Sequence, residues 1–137
     1  MSRPKEKEER AEFFVDRSLG KSIVEGLRDT GLTVHSMADI YGEKRAQLLA
    51  DEVWLRDAGK NNWIVLTKDD AIRRRPAERD ALTEAAVRVF CLTNRNMRGE
   101  EQTERFVSNR HGILRQARKS GPYIYGVYAD GLRRLWP

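Results

Sequence analysis

The chain has 137 residues, 39% of them hydrophobic and 34% charged, which suits one domain with a core and a heavily charged surface. Lys and Arg total 26 against 21 Asp and Glu, and the net charge of +5 favours an anionic partner such as nucleic acid without specifying which. The single cysteine, Cys91, excludes an internal disulfide, no Cys/His pattern suggests zinc, and no apolar run approaches the roughly 20 residues of a membrane span.

The N-terminal segment MSRPKEKEERAE (1–12) is charged and has no apolar core segment, so it is not expected to act as a secretory signal. It reads as a solvated, flexible arm, and a cytoplasmic protein is expected. Residues 13–137 are expected to form a single domain. Phe13, Phe14 and Val15 make a short strand that ends at Asp16, after which Ser18 is placed to cap a helix. Leu19, Ile23, Val24 and Leu27 form one apolar helical face, and Gly31 is placed to end it. LTVHSM is the second strand, with His35 alternating among apolar neighbours; ADIYGEKRAQLL is a loop containing a short helix. ADEVWLRDAGKNN suits a helix with acids in its first turn, and WIVLT is the third strand.

After a KDDAIRRR loop, a helix is expected to begin near Pro76. VRVFCLT is the fourth strand, where Cys91 reads as a small buried hydrophobe. One long helix is expected from Gly99 up to Gly121-Pro122, and YIYGVYADGLRRLW alternates around Asp130-Gly131 as a hairpin. Strands and helices alternate, and the first four strands are near-continuous apolar runs. Both features indicate an α/β fold, a three-layer sandwich around a mostly parallel sheet.

In such a sheet, sites gather at the C-terminal strand ends, where strand order reverses. Asp16 ends strand one, and Asp69 follows Thr67 and Lys68 at the end of strand three. If strand three returns beside strand one, those ends lie roughly 5 Å apart. Asp51 and Glu52 open the helix feeding strand three, and are expected near the opposite edge unless that helix is tilted or its loop folds back. Each acid also has an ordinary structural use: Asp16 in capping, Asp51 and Glu52 against a helix dipole, Asp69 and Asp70 in a turn. Together, clustered carboxylates repel and suit a hard cation such as Mg²⁺ or Mn²⁺, whose natural chemistry here is phosphodiester hydrolysis. Arg17, Lys68 and the run Arg73, Arg74, Arg75 are candidate phosphate contacts or simply solvated surface.

FFVDRSLG, DEVWL and WIVLTKD followed by IRRRPAE, in this order, resemble the PIN-like nucleases, most closely the compact toxins of the VapC type. The resemblance runs from about Phe13 to Pro137. It implies a metal-dependent endoribonuclease, the toxin of a type II toxin–antitoxin pair, using Mg²⁺ or Mn²⁺ on RNA and restrained by an antitoxin protein. Dimers are common among relatives, so a homodimer is a further expectation. By motif, Asp16, Asp51 and Asp69 look like the catalytic acids and metal ligands, with Asp70 and Glu52 secondary. Thr67 is implied to steady the third acid. Larger relatives carry another acid, usually glutamate, between strand two and the later acids; only Asp39 or Glu43 stands in that region. That difference keeps open a non-catalytic PIN-like module that binds RNA or protein. A receiver-like signalling domain ranks last, because it needs a lysine beyond a fifth parallel strand.

Overall fold

The computed structural model describes residues 10–94 and 96–137. Most of the expected N-terminal arm therefore lies outside the described residues, and Glu12 at its end already belongs to a strand. The order is β1 (Glu12–Val15), α1 (Lys21–Asp29), β2 (Thr33–Ser36), α2 (Met37–Tyr41), α3 (Glu43–Leu48), α4 (Asp51–Lys60) and β3 (Ile64–Thr67). A 3-10 turn (Asp70–Arg74) then leads to α5 (Pro76–Glu84), β4 (Arg88–Leu92), α6 (Gly99–Ser108), α7 (Arg110–Gln116), β5 (Tyr123–Tyr128) and β6 (Gly131–Trp136).

The strands form one six-stranded sheet in the order β2-β1-β3-β4-β5-β6. Every neighbouring pair is parallel except β5–β6, the closing hairpin. Alternation along β1 explains the layers. Phe13 and Val15 enter one core with Ile23 and Leu27 of α1, Phe106 of α6 and Ile113 of α7. Phe14 enters the other core with Trp54 and Leu55 of α4 and Leu82 of α5. All four residues of β3 are buried, as expected of a central strand covered on both faces. Each fully buried large apolar side chain in these layers contributes about 1.5–3 kcal/mol relative to exposure. This is the expected α/β sandwich.

Several local expectations need correction. The region after β2 forms two short helices, separated by Gly42 at φ 83°, a conformation that glycine adopts without a Cβ clash. The expected long helix after β4 is broken at Asn109, whose side-chain amide donates to Arg105 O and Tyr128 O at 2.8 and 3.0 Å. Ser18 does not cap α1; the N-cap is Gly20, and Ser18 is used elsewhere. The hairpin turn is Ala129-Asp130, one residue earlier than expected, and Gly131 opens β6 opposite Tyr128. β5 is itself a fifth parallel strand, but Ala129-Asp130-Gly131 follow it with no lysine, so the receiver-like requirement is unmet. Gly31 does end α1 as expected: at φ +90° it donates its N–H to Arg28 O at 2.9 Å.

Candidate metal centre

Strand order reverses between β1 and β3, which pair directly through Phe13–Ile64 and Val15–Leu66. Asp16 and Asp69 therefore leave adjacent strand ends on the same rim. The Asp16 carboxylate is held by three donors. Oδ1 accepts from the Ser18 N–H at 3.2 Å and the Ser18 hydroxyl at 2.5 Å, and Oδ2 accepts from the Thr67 hydroxyl at 2.9 Å. Asp16 is only 4% exposed. Burial pushes its pKa up from 3.8 to about 6, against the opposing pull of the Ser18 and Thr67 hydrogen bonds.

Thr67 does more than occupy a β-branched strand position. Its hydroxyl oxygen also accepts the Asp69 N–H at 3.0 Å, so one buried side chain joins the first acid to the backbone of the third. Asp69 caps the 3-10 turn, accepting the Ala71 N–H at 3.1 Å on Oδ1. Ser18 adds a further tie by accepting the Lys68 N–H at 3.0 Å.

Asp51 corrects the expectation that the first turn of α4 starts at the far edge. A crossover helix between parallel strands runs antiparallel to them, so its N-terminus lies over the strand C-terminal ends. There, Asp51 Oδ1 accepts the Trp54 indole N–H at 2.8 Å. Trp54 is fully buried and stacks on Phe14 with ring centroids 5.4 Å apart, so core packing orients this acid. Arg17 Nη1 lies 3.9 Å from Asp51 Oδ1, and Arg17 Nη2 donates to Leu49 O.

The same directional logic brings in Glu78, which the sequence reading missed. Pro76 sets the start of α5, so Glu78 falls in its first turn, at the same rim. Among the described residues, Asp51, Asp69 and Glu78 each offer an oxygen within 4.8 Å of the other two. Glu78 is 5% exposed. Burial first, then its hydrogen bond to Asp51, raises its pKa from 4.5 to about 7, opposed by Arg75.

Asp16 is not one of these three, nor are Asp70 and Glu52. Asp70 opens the 3-10 turn and Glu52 follows Asp51 in α4; both are half-buried. Lys68 and Arg73 are half-buried on the segment after β3, and Arg74 is exposed there. Asp39 pairs with Arg28 at 2.6 Å and Glu43 lies 3.8 Å from Lys21, so each has its own cationic partner. These two acids border a cleft of about 560 Å³ that opens beside Asp16 and Arg17 over Leu19, Val24 and Met37. Of the other singled-out residues, His35 Nε2 meets Glu12 Oε1 at 2.8 Å, a partner the sequence did not reveal. Cys91 is fully buried with its thiol pushed up to about 12, which leaves it protonated and inert.

A family model described as "PIN like domain" matches residues 11–94, a span that holds Asp16, Asp51, Asp69 and Glu78. A "Putative ribonuclease VapC45" from Mycobacterium tuberculosis is 35% identical over 124 residues, covering 90% of this chain and 90% of that protein. No solved structure gives a significant match. With a family model spanning more than half its length and a relative aligned along most of the rest, this chain belongs to the PIN-like domain family.

Proposed function

We propose that the chain is a metal-dependent endoribonuclease, using Mg²⁺ or Mn²⁺ to hydrolyse RNA phosphodiester bonds, and the toxin of a toxin–antitoxin pair. The observation that carries this reading is the meeting of Asp51, Asp69 and Glu78 oxygens within 4.8 Å at the rim where β1 and β3 adjoin. Three carboxylates fit a hard divalent cation by donor type, and burial of Glu78 beside Asp51 is what such a cation would offset. A divalent ion bound there supplies charge neutralisation at the phosphodiester and lowers the pKa of an attacking water.

The remaining roles belong to the chain. Asp51, Asp69 and Glu78 hold the ion. Asp16, caged by Ser18 and Thr67 at the adjacent strand end, is the further acid of the centre. Trp54 and Thr67 position acids without touching substrate. Lys68, Arg73 and Arg74 meet the RNA backbone beside the centre, while Arg17 adds positive charge and steadies Asp51. The name of the mycobacterial relative supports ribonuclease activity and the toxin role, the latter requiring an antitoxin partner.

A cleavage assay on a mixed-sequence RNA tests the reading. The intact chain is expected to cut with Mn²⁺ or Mg²⁺ and to stop in EDTA, and Asp69→Asn and Glu78→Gln are expected to lose cleavage while remaining folded. RNA retained but never cut, under every metal condition, would establish the non-catalytic module instead.

A further inference from the structure

One atom of Arg75 touches all three acids of the metal centre. Its Nη1 lies 2.6 Å from Glu78 Oε1, 3.0 Å from Asp69 Oδ2 and 3.4 Å from Asp51 Oδ2. Nη2 adds a second bond to Asp69, 3.3 Å from Oδ1, so the guanidinium grips that carboxylate with both prongs. The partners of this nitrogen are the same three residues whose oxygens converge within 4.8 Å. The cation that the carboxylates require is thus present, and the chain itself supplies it.

The backbone explains why Arg75 reaches this point. It is both the last residue flanking the 3-10 turn and the N-cap of α5, with φ −94° and ψ 123°. Pro76 follows it, and a residue before proline is held extended rather than helical. The side chain therefore projects from a fixed point across the first turn of α5, towards Glu78. Its polar anchors are all on one side: the Arg75 side chain is 45% exposed, whereas that of Glu78 is 6% exposed. The guanidinium can leave by rotating its stem into solvent, without opening the core, while the acids stay behind.

We propose that Arg75 is the resident counter-ion of this centre and that a divalent ion and the Arg75 guanidinium occupy it by exchange, never together. The inference rests on the metal reading above and deepens it. Both cations would draw on the carboxylates of the same three residues, and like charges at contact distance inside one acid cluster repel. Without metal, Arg75 keeps the three acids assembled. On loading, it is displaced to the rim, where its fork is available to an RNA phosphate. Arg75 is thus a positioning residue whose departure sets the metal concentration at which the centre fills.

Calorimetric titration of the full chain with Mn²⁺ tests this, comparing the unmodified protein with Arg75→Gln and with the exposed control Arg79→Gln. Removing the competitor is expected to tighten Mn²⁺ binding by roughly tenfold, within the usual range for coupled sites, with Arg79→Gln unchanged. In EDTA, Arg75→Gln is expected to melt at lower temperature than the unmodified chain, and to show the larger rise on adding Mn²⁺. The unmodified chain gives an independent readout if the variant folds poorly: Arg75 guanidinium N–H signals are expected to be protected and visible by NMR in EDTA, and to disappear at saturating Mg²⁺. Equal or weaker Mn²⁺ binding by Arg75→Gln, or guanidinium signals that persist in Mg²⁺, would overturn the exchange and leave the metal reading intact. Failure of both proteins to bind Mn²⁺ would overturn both.

Discussion

The Thr67 hydroxyl donates to Asp16 Oδ2 at 2.9 Å across 51 positions of the chain, and accepts the Asp69 N–H at 3.0 Å on the same oxygen. Thr67 therefore couples two strand ends. Thr67→Val keeps the β-branched shape and deletes both bonds, leaving a buried carboxylate oxygen and an amide without this partner. The expected loss is about 1–3 kcal/mol of stability, together with a large fall in RNA cleavage, while Thr67→Ser retains most of both. Urea denaturation and a cleavage time course would check it; a Thr67→Val protein as active as the unmodified chain would remove Thr67 from the centre.

Asp16→Asn is expected to abolish cleavage and, without metal, to stabilise the fold at pH 8. The sign follows from its raised pKa. The folded value of about 6 lies above the ordinary 3.8, so the native state binds this proton more tightly. Stability from this group is complete below pH 3.8 and is lost as pH rises through 6. At pH 8 the charged form costs at most about 3 kcal/mol, which an uncharged amide avoids. Melting in EDTA at pH 5 and pH 8 measures it: the gain of the variant over the unmodified chain should be larger at the higher pH. A melting point below that of the unmodified chain at pH 8 would contradict the burial argument.

Glu78 gives a pH dependence of the metal effect. Its folded pKa of about 7 lies above the ordinary 4.5, so it favours the metal-free fold below pH 4.5 and progressively less as pH rises through 7. A divalent ion needs the deprotonated carboxylate. The rise in melting temperature caused by Mn²⁺ is therefore expected to be small near pH 5.5 and to grow towards pH 8, and Glu78→Gln should flatten that growth. Differential scanning fluorimetry across this range decides it; an identical pH profile in Glu78→Gln would place Glu78 outside the metal set.

Trp54 separates packing from orientation. Its ring stacks on Phe14, and its indole N–H holds Asp51 Oδ1 at 2.8 Å. Trp54→Phe preserves an aromatic ring and removes the donor. Loss of such an outer partner typically lowers metal affinity 10–100-fold, and that range is expected here from Mn²⁺ titration. Unchanged affinity would show that Asp51 needs no help from the core.

Much of the scaffold was legible from local pattern. Ile23, Val24 and Leu27 mark the buried face of α1 by their spacing, whereas Leu19, expected on that face, precedes the helix and is buried from the turn before it; the apolar runs at β3 and β4 mark strands covered on both sides. Local pattern was weaker where a single residue divides an element. Asn109 breaks the helix after β4 through a bond to Tyr128 O, a contact made only once β5 is in place. Ser18 looked like a cap because it precedes a helix, yet its hydroxyl serves Asp16.

The primary chain determined the alternation of strands and helices, the rim residues Asp16 and Asp69 at their strand ends, and the first-turn acids Asp51 and Glu52 of α4. Those features depend on spacing along a few turns or one strand, which neighbouring residues settle among themselves. Only the tertiary structure decided that Glu78 joins Asp51 and Asp69, that Arg75 stands among them, and that Thr67 reaches Asp16. Those contacts join residues on different elements, so they exist only after strand order and helix direction have placed the side chains a few ångströms apart.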